Sequence, residues 1–252
     1  MQLHYHRSGQ GRPLVILHGL FGTWENLGST VKSLAQEWDV IAPDLRNHGR
    51  SPQATEHSYP LMAADLAALL DQLGLESVSI LGHSMGGKVA MEFALNNPER
   101  VDKLVVVDIA PVVYPPHHTD VFAGIRSIDL AQIKSRSEAD QQLSQQVESA
   151  GVRAFLLKNL YREDGRFRWR ANFAALESEY SNIAAAPAEG QFEKPTLFIK
   201  GADSNYLLSE YQQAVISRFP KVELKIIKDA GHWPHAEKPE IFLRIVRSFL
   251  TS

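Results

Sequence analysis

Short runs of consecutive apolar residues, many of them β-branched, recur along the chain: Leu14-Val15-Ile16-Leu17, Trp38 to Ala42, Val78-Ser79-Ile80-Leu81, Leu104 to Val107, Thr196 to Ile199 and Val222 to Ile227. Runs of this length without alternation suit strands buried on both faces, as in a parallel sheet. Helical patterns lie between them. Tyr59 to Leu73 divides Leu61, Asp65, Leu66, Leu69 and Leu70 between two faces, and Val89 to Asn96 is a second helix candidate. Met1 to Gly9 alternates apolar and polar residues like a half-buried strand. Repeating β and α elements predict an α/β fold with a mostly parallel, doubly wound sheet.

The rhythm breaks after the strand ending near Asp108. The interval to Thr196 is far longer than a crossover connection needs, so a folded insertion is expected there. Ser135 with Glu138 has capping-box spacing, Val152 to Tyr161 carries Phe155, Leu156 and Leu160 at helical spacing, and Asn172 to Ile183 also reads as helix. Residues 1–111 and 191–252 are therefore expected to form the core, and 112–190 a helical lid. The lid would cover the C-terminal edge of the sheet, where open α/β folds bind ligands.

Composition narrows the function. With 252 residues, 44% hydrophobic and 22% charged, the chain is an ordinary globular protein. No apolar run approaches the length that spans a bilayer. A net charge of −3, with both signs interspersed, gives no footprint for a nucleic acid or an anionic membrane. A small-molecule partner is expected. The absence of cysteine removes disulfides, thiolate catalysis and cysteine-ligated metals. The strand-like start does not resemble a signal peptide, so the cytoplasm is the expected compartment.

The strongest chemical signal is Gly82-His83-Ser84-Met85-Gly86-Gly87, directly after one strand run and directly before a helix. A turn this sharp strains its central residue, and glycines two places either side permit the close packing it needs. Ser84 is thereby presented as a nucleophile. A chance match in a glycine-containing loop would lack the strand before and the helix after.

A serine hydroxyl needs a neighbouring base, and this elbow goes with the chain order Ser, acid, His. Among ten histidines, His232 in Asp229-Ala230-Gly231-His232-Trp233 lies on the loop after the last strand run, and His235 is its rival. Two acids satisfy the order. Asp203 follows the run Thr196 to Ile199, and Asp108 ends the run Leu104 to Val107. Asp108 is preferred, because an unpaired carboxylate at the end of an apolar strand would be costly to bury. Oxyanion donors are expected from the amide of Met85, at a helix start, and from the loop His18-Gly19-Leu20-Phe21-Gly22, where Leu20 is chosen over Phe21.

Taken together, His18-Gly19, Asp44-Leu45-Arg46-Asn47-His48-Gly49-Arg50-Ser51, the elbow at Ser84 and Gly231-His232 resemble the α/β-hydrolase superfamily over essentially the whole chain. More narrowly, Arg46 to Gly49, Gly82 to Lys88, Asp108-Ile109-Ala110-Pro111 and Gly231 to Trp233 with His235 to Pro239 are similar to small bacterial esterases of the YbfF type. The resemblance implies esterase activity on short acyl groups, with cleavage of acyl-CoA thioesters in some members; esters of short to medium acyl groups are the expected substrates, and this serine chemistry needs no cofactor. It also implies an acid at the position of Asp108. The family's more usual acid would fall on Ser204, one residue away from Asp203.

Phe21, Phe122, Phe155, Leu156, Trp169, Tyr180, Tyr206 and Trp233 are candidate pocket residues, although lid aromatics are more often core. Asp44, Arg46 and His48 are read as holding their own loop by hydrogen bonds. His117-His118 lacks the spacing and carboxylates of a metal site, so no metal is expected. Lys88 is read either as a substrate contact or as part of a solvated helix face. Ser84 excludes the carboxylate-nucleophile chemistries of this fold, such as dehalogenation and epoxide opening. C–C hydrolysis, perhydrolysis and ligand sensing with a slow triad remain as alternatives.

Overall fold

The computed structural model describes all 252 residues. In chain order the strands are β1 (Tyr5–Ser8), β2 (Pro13–Leu17), β3 (Asp39–Pro43), β4 (Val78–His83), β5 (Val101–Val107), β6 (Leu160–Glu163), β7 (Arg166–Trp169), β8 (Thr196–Gly201) and β9 (Val222–Ile227). The α-helices are α1 (Gly28–Leu34), α2 (Tyr59–Gln72), α3 (Met85–Asn96), α4 (Thr119–Ser127), α5 (Arg136–Leu143), α6 (Ala150–Leu156), α7 (Phe173–Ser178), α8 (Tyr180–Ala184), α9 (Gln212–Arg218), α10 (Pro234–Glu237) and α11 (Pro239–Thr251).

Seven strands form one sheet in the order β1-β3-β2-β4-β5-β8-β9. Only β1 is antiparallel, pairing Tyr5 with Pro43 and Ser8 with Val40. The apolar runs explain the central strands: Val15, Leu17, Ile41, Ile80, Leu104 and Val106 pack with α2 and α3 on one face. Leu14, Ile16, Val40, Leu81, Val105 and Val107 pack on the other against α1 and α11. Helix α11 contributes Phe242, Val246, Phe249 and Leu250, a helical stripe whose burial stabilises by about 1.5–3 kcal/mol per large side chain. Because β2 has β3 on one side and β4 on the other, the strand order reverses there. A crevice opens at the carboxyl ends of β2 and β4, where doubly wound folds bind ligands.

Strand β9 differs from its expected burial. Leu224 and Ile226 are exposed because β9 is the edge strand and no helix covers that part of it.

The segment between β5 and β8 has its own apolar cluster, including Phe122, Ile125, Leu143, Leu156, Leu160, Phe173 and Leu176, with Phe21 of the sheet domain joining it. The helix expected over Val152 to Tyr161 is shorter and earlier. Helix α6 ends at Leu156, a 3-10 turn follows, and Leu160 already begins β6, which pairs antiparallel with β7. Asp164 and Gly165, with φ of 48° and 79°, close this hairpin, the two-residue geometry that Asp-Gly favours. Asn172 to Ile183 is two short helices rather than one, with Asn172 capping the first through the Ala175 amide. At Ser135 half of the expected capping box forms: its hydroxyl accepts the Glu138 amide at 3.2 Å, while the Glu138 carboxylate takes the amide of Lys134 instead. No helix is long and apolar enough to cross a membrane.

Candidate active site

Strand β4 passes into α3 through a single residue, Ser84, whose backbone is held at φ 54°, ψ −121°. A non-glycine residue there costs on the order of 1–3 kcal/mol and persists only where its surroundings enforce it. The surroundings are glycine contacts. A Cβ on Gly82 would lie 2.2 Å from the Gly86 carbonyl oxygen, and one on Gly86 would lie 2.5 Å from the His18 carbonyl oxygen. Helix and strand can therefore close on Ser84 only with glycine at both places. Its amide is fixed by the Val107 carbonyl at 3.0 Å.

His232 arrives from the loop after β9. Its Nε2 lies 3.0 Å from Ser84 Oγ and its Nδ1 2.7 Å from Asp108 Oδ2. Since a carboxylate only accepts, Nδ1 carries the proton and Nε2 faces the serine with its lone pair. Asp108 is fully buried, with φ of 54°. Its Oδ1 accepts the Gly201 amide at 3.0 Å, and its Oδ2 also accepts the Ser204 hydroxyl. The desolvation cost that favoured Asp108 is thus met by three donors. Asp203 is exposed and is engaged through its amide, which donates to Ala230 O at 2.9 Å. Ser204, where the resemblance would place the more usual acid, donates its hydroxyl to Asp108.

Two further groups fix the His232 loop. Glu237 accepts the amides of Gly231 at 2.7 Å and Trp233 at 3.2 Å, clamping the chain on both sides of the histidine. His83 donates from Nε2 to the His232 carbonyl at 2.7 Å. Burial, then the neighbouring His235 and His232, hold His83 well below the usual histidine range, so it stays neutral. His235, the rival base, is buried beside Phe242 with its pKa pushed down to about 4 by desolvation.

The loop after β2 presents its amides toward the same crevice. Phe21, at φ 62°, donates its amide to His48 Nε2 at 3.1 Å, which leaves the neighbouring Leu20 amide uncommitted. The Met85 amide heads α3, where first-turn donors lack intrahelical acceptors. His48 in turn donates from Nδ1 to the Arg46 carbonyl at 2.9 Å, so its reach extends beyond its own loop to the turn at Phe21. Asp44 ties the loop together by accepting the amides of Trp24 and Arg50, each at 2.9 Å.

A family model described as the α/β hydrolase fold matches residues 12–239. The chain belongs to the α/β-hydrolase family. It is 41% identical over 246 residues to a mouse protein named sn-1-specific diacylglycerol lipase ABHD11, covering 94% of this chain and 80% of that one. It is 38% identical over 239 residues to the Escherichia coli esterase YbfF, covering 94% and 92%. A solved structure titled marine microorganism esterase superimposes with a TM-score of 0.96 at 39% identity, covering 98% of this chain and 99% of that one. This α/β-hydrolase is accordingly an enzyme of the hydrolase class.

In this hydrolase a cavity of about 540 Å³ opens at Ser84 between the sheet and the inserted segment. Of the aromatic and aliphatic candidates, Phe21, Phe155, Leu156, Tyr180, Tyr206 and Trp233 line it, as do Leu20 and Met85. Phe122 and Trp169 do not. Phe122 backs Phe21 edge-on at 5.4 Å, and Trp169 packs on Phe173 at 5.1 Å, so both belong to the insertion's own core. Tyr59 and Tyr114 line the cavity without having been singled out, since nothing in their spacing marks them, and His117 and His118 line it too.

Lys88 overturns its solvated-face reading. It is 1% exposed, and its ammonium donates to the carbonyls of Val112 at 2.8 Å, Ala184 at 3.2 Å and Ala185 at 2.5 Å. The rings of Tyr59 and Tyr114 lie 5.5 and 4.7 Å away. Burial pulls its pKa down to about 7.

His117 and His118 are engaged by tyrosines: His117 Nε2 lies 2.7 Å from the Tyr206 hydroxyl and His118 Nδ1 2.6 Å from that of Tyr180. Burial brings the His118 pKa down to about 3.

Proposed function

We propose that this hydrolase is a carboxylesterase acting on short to medium acyl esters through an acyl-enzyme on Ser84, with His232 as base and Asp108 as its orienting acid. The observation that carries this reading is the unbroken line of hydrogen bonds from Ser84 Oγ to His232, 3.0 Å, and from His232 to Asp108, 2.7 Å, at a strained elbow open to the cavity. His232 Nε2 removes the serine proton as Oγ attacks the ester carbonyl. Asp108 holds the ring in the tautomer that can accept it and stabilises the imidazolium formed. The developing oxyanion is received by the amides of Leu20 and Met85, each such donor being worth about 10²–10³ in turnover. The alcohol leaves with the proton from His232, and water repeats the sequence to release the acid.

The inserted segment acts in this reading as a lid: it supplies Phe155, Leu156 and Tyr180 to an otherwise open crevice, giving the acyl chain an apolar surround. The cavity's size and mainly apolar lining support a neutral acyl chain.

Mass spectrometry after fluorophosphonate treatment, with a panel of p-nitrophenyl esters from acetate to palmitate and acyl-CoA thioesters, tests the proposal. Labelling confined to Ser84 with repeated turnover of short esters is expected, and Ser84→Ala should lose both while keeping its melting temperature. Wild-type turnover by Ser84→Ala would remove Ser84 as nucleophile. Labelling without turnover of any ester or thioester would move the substrate class to C–C hydrolysis, perhydrolysis or ligand sensing.

A further inference from the structure

The His232 ring has a companion that the proton relay does not use. Tyr206, on the loop after β8, lies face to face with it: the ring centroids are 4.0 Å apart and the planes 24° from parallel. Tyr206 is anchored at three points. Its amide donates to Ser204 Oγ at 3.2 Å, and that same hydroxyl donates to Asp108. Its carbonyl accepts the hydroxyl of Tyr114, which itself accepts the Ala110 amide at 2.9 Å. Its phenol reaches His117 Nε2 at 2.7 Å. His117 Nδ1 donates to the Pro115 carbonyl at 2.9 Å, so Nε2 is the bare nitrogen and accepts the phenol proton. Burial raises the phenol to about 12, which keeps that proton in place.

The charge around His232 gives this stacking a consequence. The groups facing it are Asp108 from the end of β5, Ser84 and His83 from the elbow, His235 from α10, His118 from the inserted segment, and Tyr206. His83, His235 and His118 are all held neutral by burial, so none opposes a positive charge on His232. When His232 takes the serine proton, the Tyr206 ring face carries the negative potential that attracts a cation.

We propose that Tyr206 is a positioning residue that stabilises the imidazolium of His232 during acyl transfer, and that His117 of the inserted segment fixes the ring over it. This rests on His232 being the base. Losing the ring face is expected to lower kcat about 3- to 30-fold, the span of a cation–π contact from exposed to desolvated sites.

The test compares Tyr206→Leu, Tyr206→Phe and His117→Ala on a p-nitrophenyl ester, with full pH profiles. Tyr206→Leu should lower kcat with KM within about twofold, and the acid limb of kcat/KM should move to lower pH by about half a unit to one unit. Tyr206→Phe keeps the ring and loses only the bond to His117, so its acid limb should move less than that of Tyr206→Leu. A raised KM with an unmoved acid limb would make Tyr206 a substrate contact and overturn the proposal. Should Tyr206→Leu not fold, phenylalanines of increasing ring fluorination installed at position 206 keep the shape and drain the ring face. The acid limb should then move down stepwise, and a constant limb overturns the proposal. His117→Ala and Tyr206→Phe remove one bond from opposite ends, so their losses should match and not add in the double variant. Additive losses would remove His117 from the arrangement. Ser84→Ala separates the two readings: if it is inactive while Tyr206→Leu keeps its acid limb, only the stacking inference falls. If Ser84→Ala turns over at the wild-type rate, the fault lies in the triad.

Discussion

Two aspartates stand at the same edge of the sheet, and their surroundings divide them. Asp108 gives both oxygens to donors from His232, Ser204 and Gly201 in a fully buried site, whereas the Asp203 side chain faces solvent two residues after Gly201. Asp108→Asn keeps the shape but offers an amide where His232 Nδ1–H needs an acceptor, so it favours the tautomer that cannot take the serine proton. A loss in kcat on the order of 10³–10⁴ is expected, as when a triad aspartate is neutralised, while Asp203→Asn should stay within about twofold of wild type. Steady-state kinetics on one ester decides between them, and equal losses would put the acid elsewhere. Asp108 was legible in the sequence because burying a carboxylate is costly enough to demand a reason. Ser204 and Glu237 were not, because each acts through a hydrogen bond between loops, and no periodicity or spacing records which loop faces which. Ser204, where the resemblance would place the more usual acid, is joined to Asp108 by a hydrogen bond.

At the scale of elements, the central strands and α2 and α3 were legible because burial on two faces and a helical stripe leave periodic traces in the residues. The inserted segment was harder. Its elements are short, its apolar residues serve a small separate cluster, and the hairpin at Asp164-Gly165 interrupts what reads as helix from Val152 onward. What ties this segment to the sheet domain is Lys88, one turn into α3 from Ser84. The single ammonium holds Val112 at the segment's start and Ala184 and Ala185 near its end. Glu92, the next turn of the helix, accepts the Ala188 amide at 2.6 Å. Lys88→Met fills similar volume but leaves the Val112 and Ala185 carbonyls without a donor, while Ala184 keeps the Tyr114 amide at 2.9 Å. A destabilisation of about 2–4 kcal/mol is expected from charge-assisted bonds lost at a buried site, with faster proteolytic cleavage near residues 112 and 185. Urea denaturation and limited proteolysis read both effects. A midpoint equal to wild type with an unchanged cleavage pattern would mean that the segment is held by its apolar contacts alone.

Across the whole molecule, histidine is the residue type that most distinguishes this interior. His18, His48, His57, His83, His118 and His235 all have pKa values lowered chiefly by burial, to about 4 for His57 and His235 and about 3 for His118. Each lies close to the crevice or to the loops that shape it, since His18, His83, His118 and His235 line the cavity and His48 and His57 stand behind it. The neutral rings of His18 and His48 each donate from Nδ1 to a carbonyl and accept an amide at Nε2, which a charged ring could not do. Below the ordinary histidine value of 6.5 the unfolded chain binds protons at these positions and the folded chain does not. The histidine contribution to stability therefore rises with pH through this range and is complete above about pH 7. As pH falls from about 6.5, each such histidine contributes a slope approaching about 1.4 kcal/mol per pH unit, lost down to its folded pKa. The window from pH 6.5 to 5 isolates the effect, because ordinary carboxylates there are still ionised in both states. Urea midpoints measured at pH 6.5, 6, 5.5 and 5, below the range in which Lys88 titrates, should fall with the steepness of several protons taken up on unfolding. A flat profile down to pH 5 would mean that these rings accept a proton within the fold. The tyrosine and carbonyl contacts assigned to them would then have to tolerate a charge in the middle of the site.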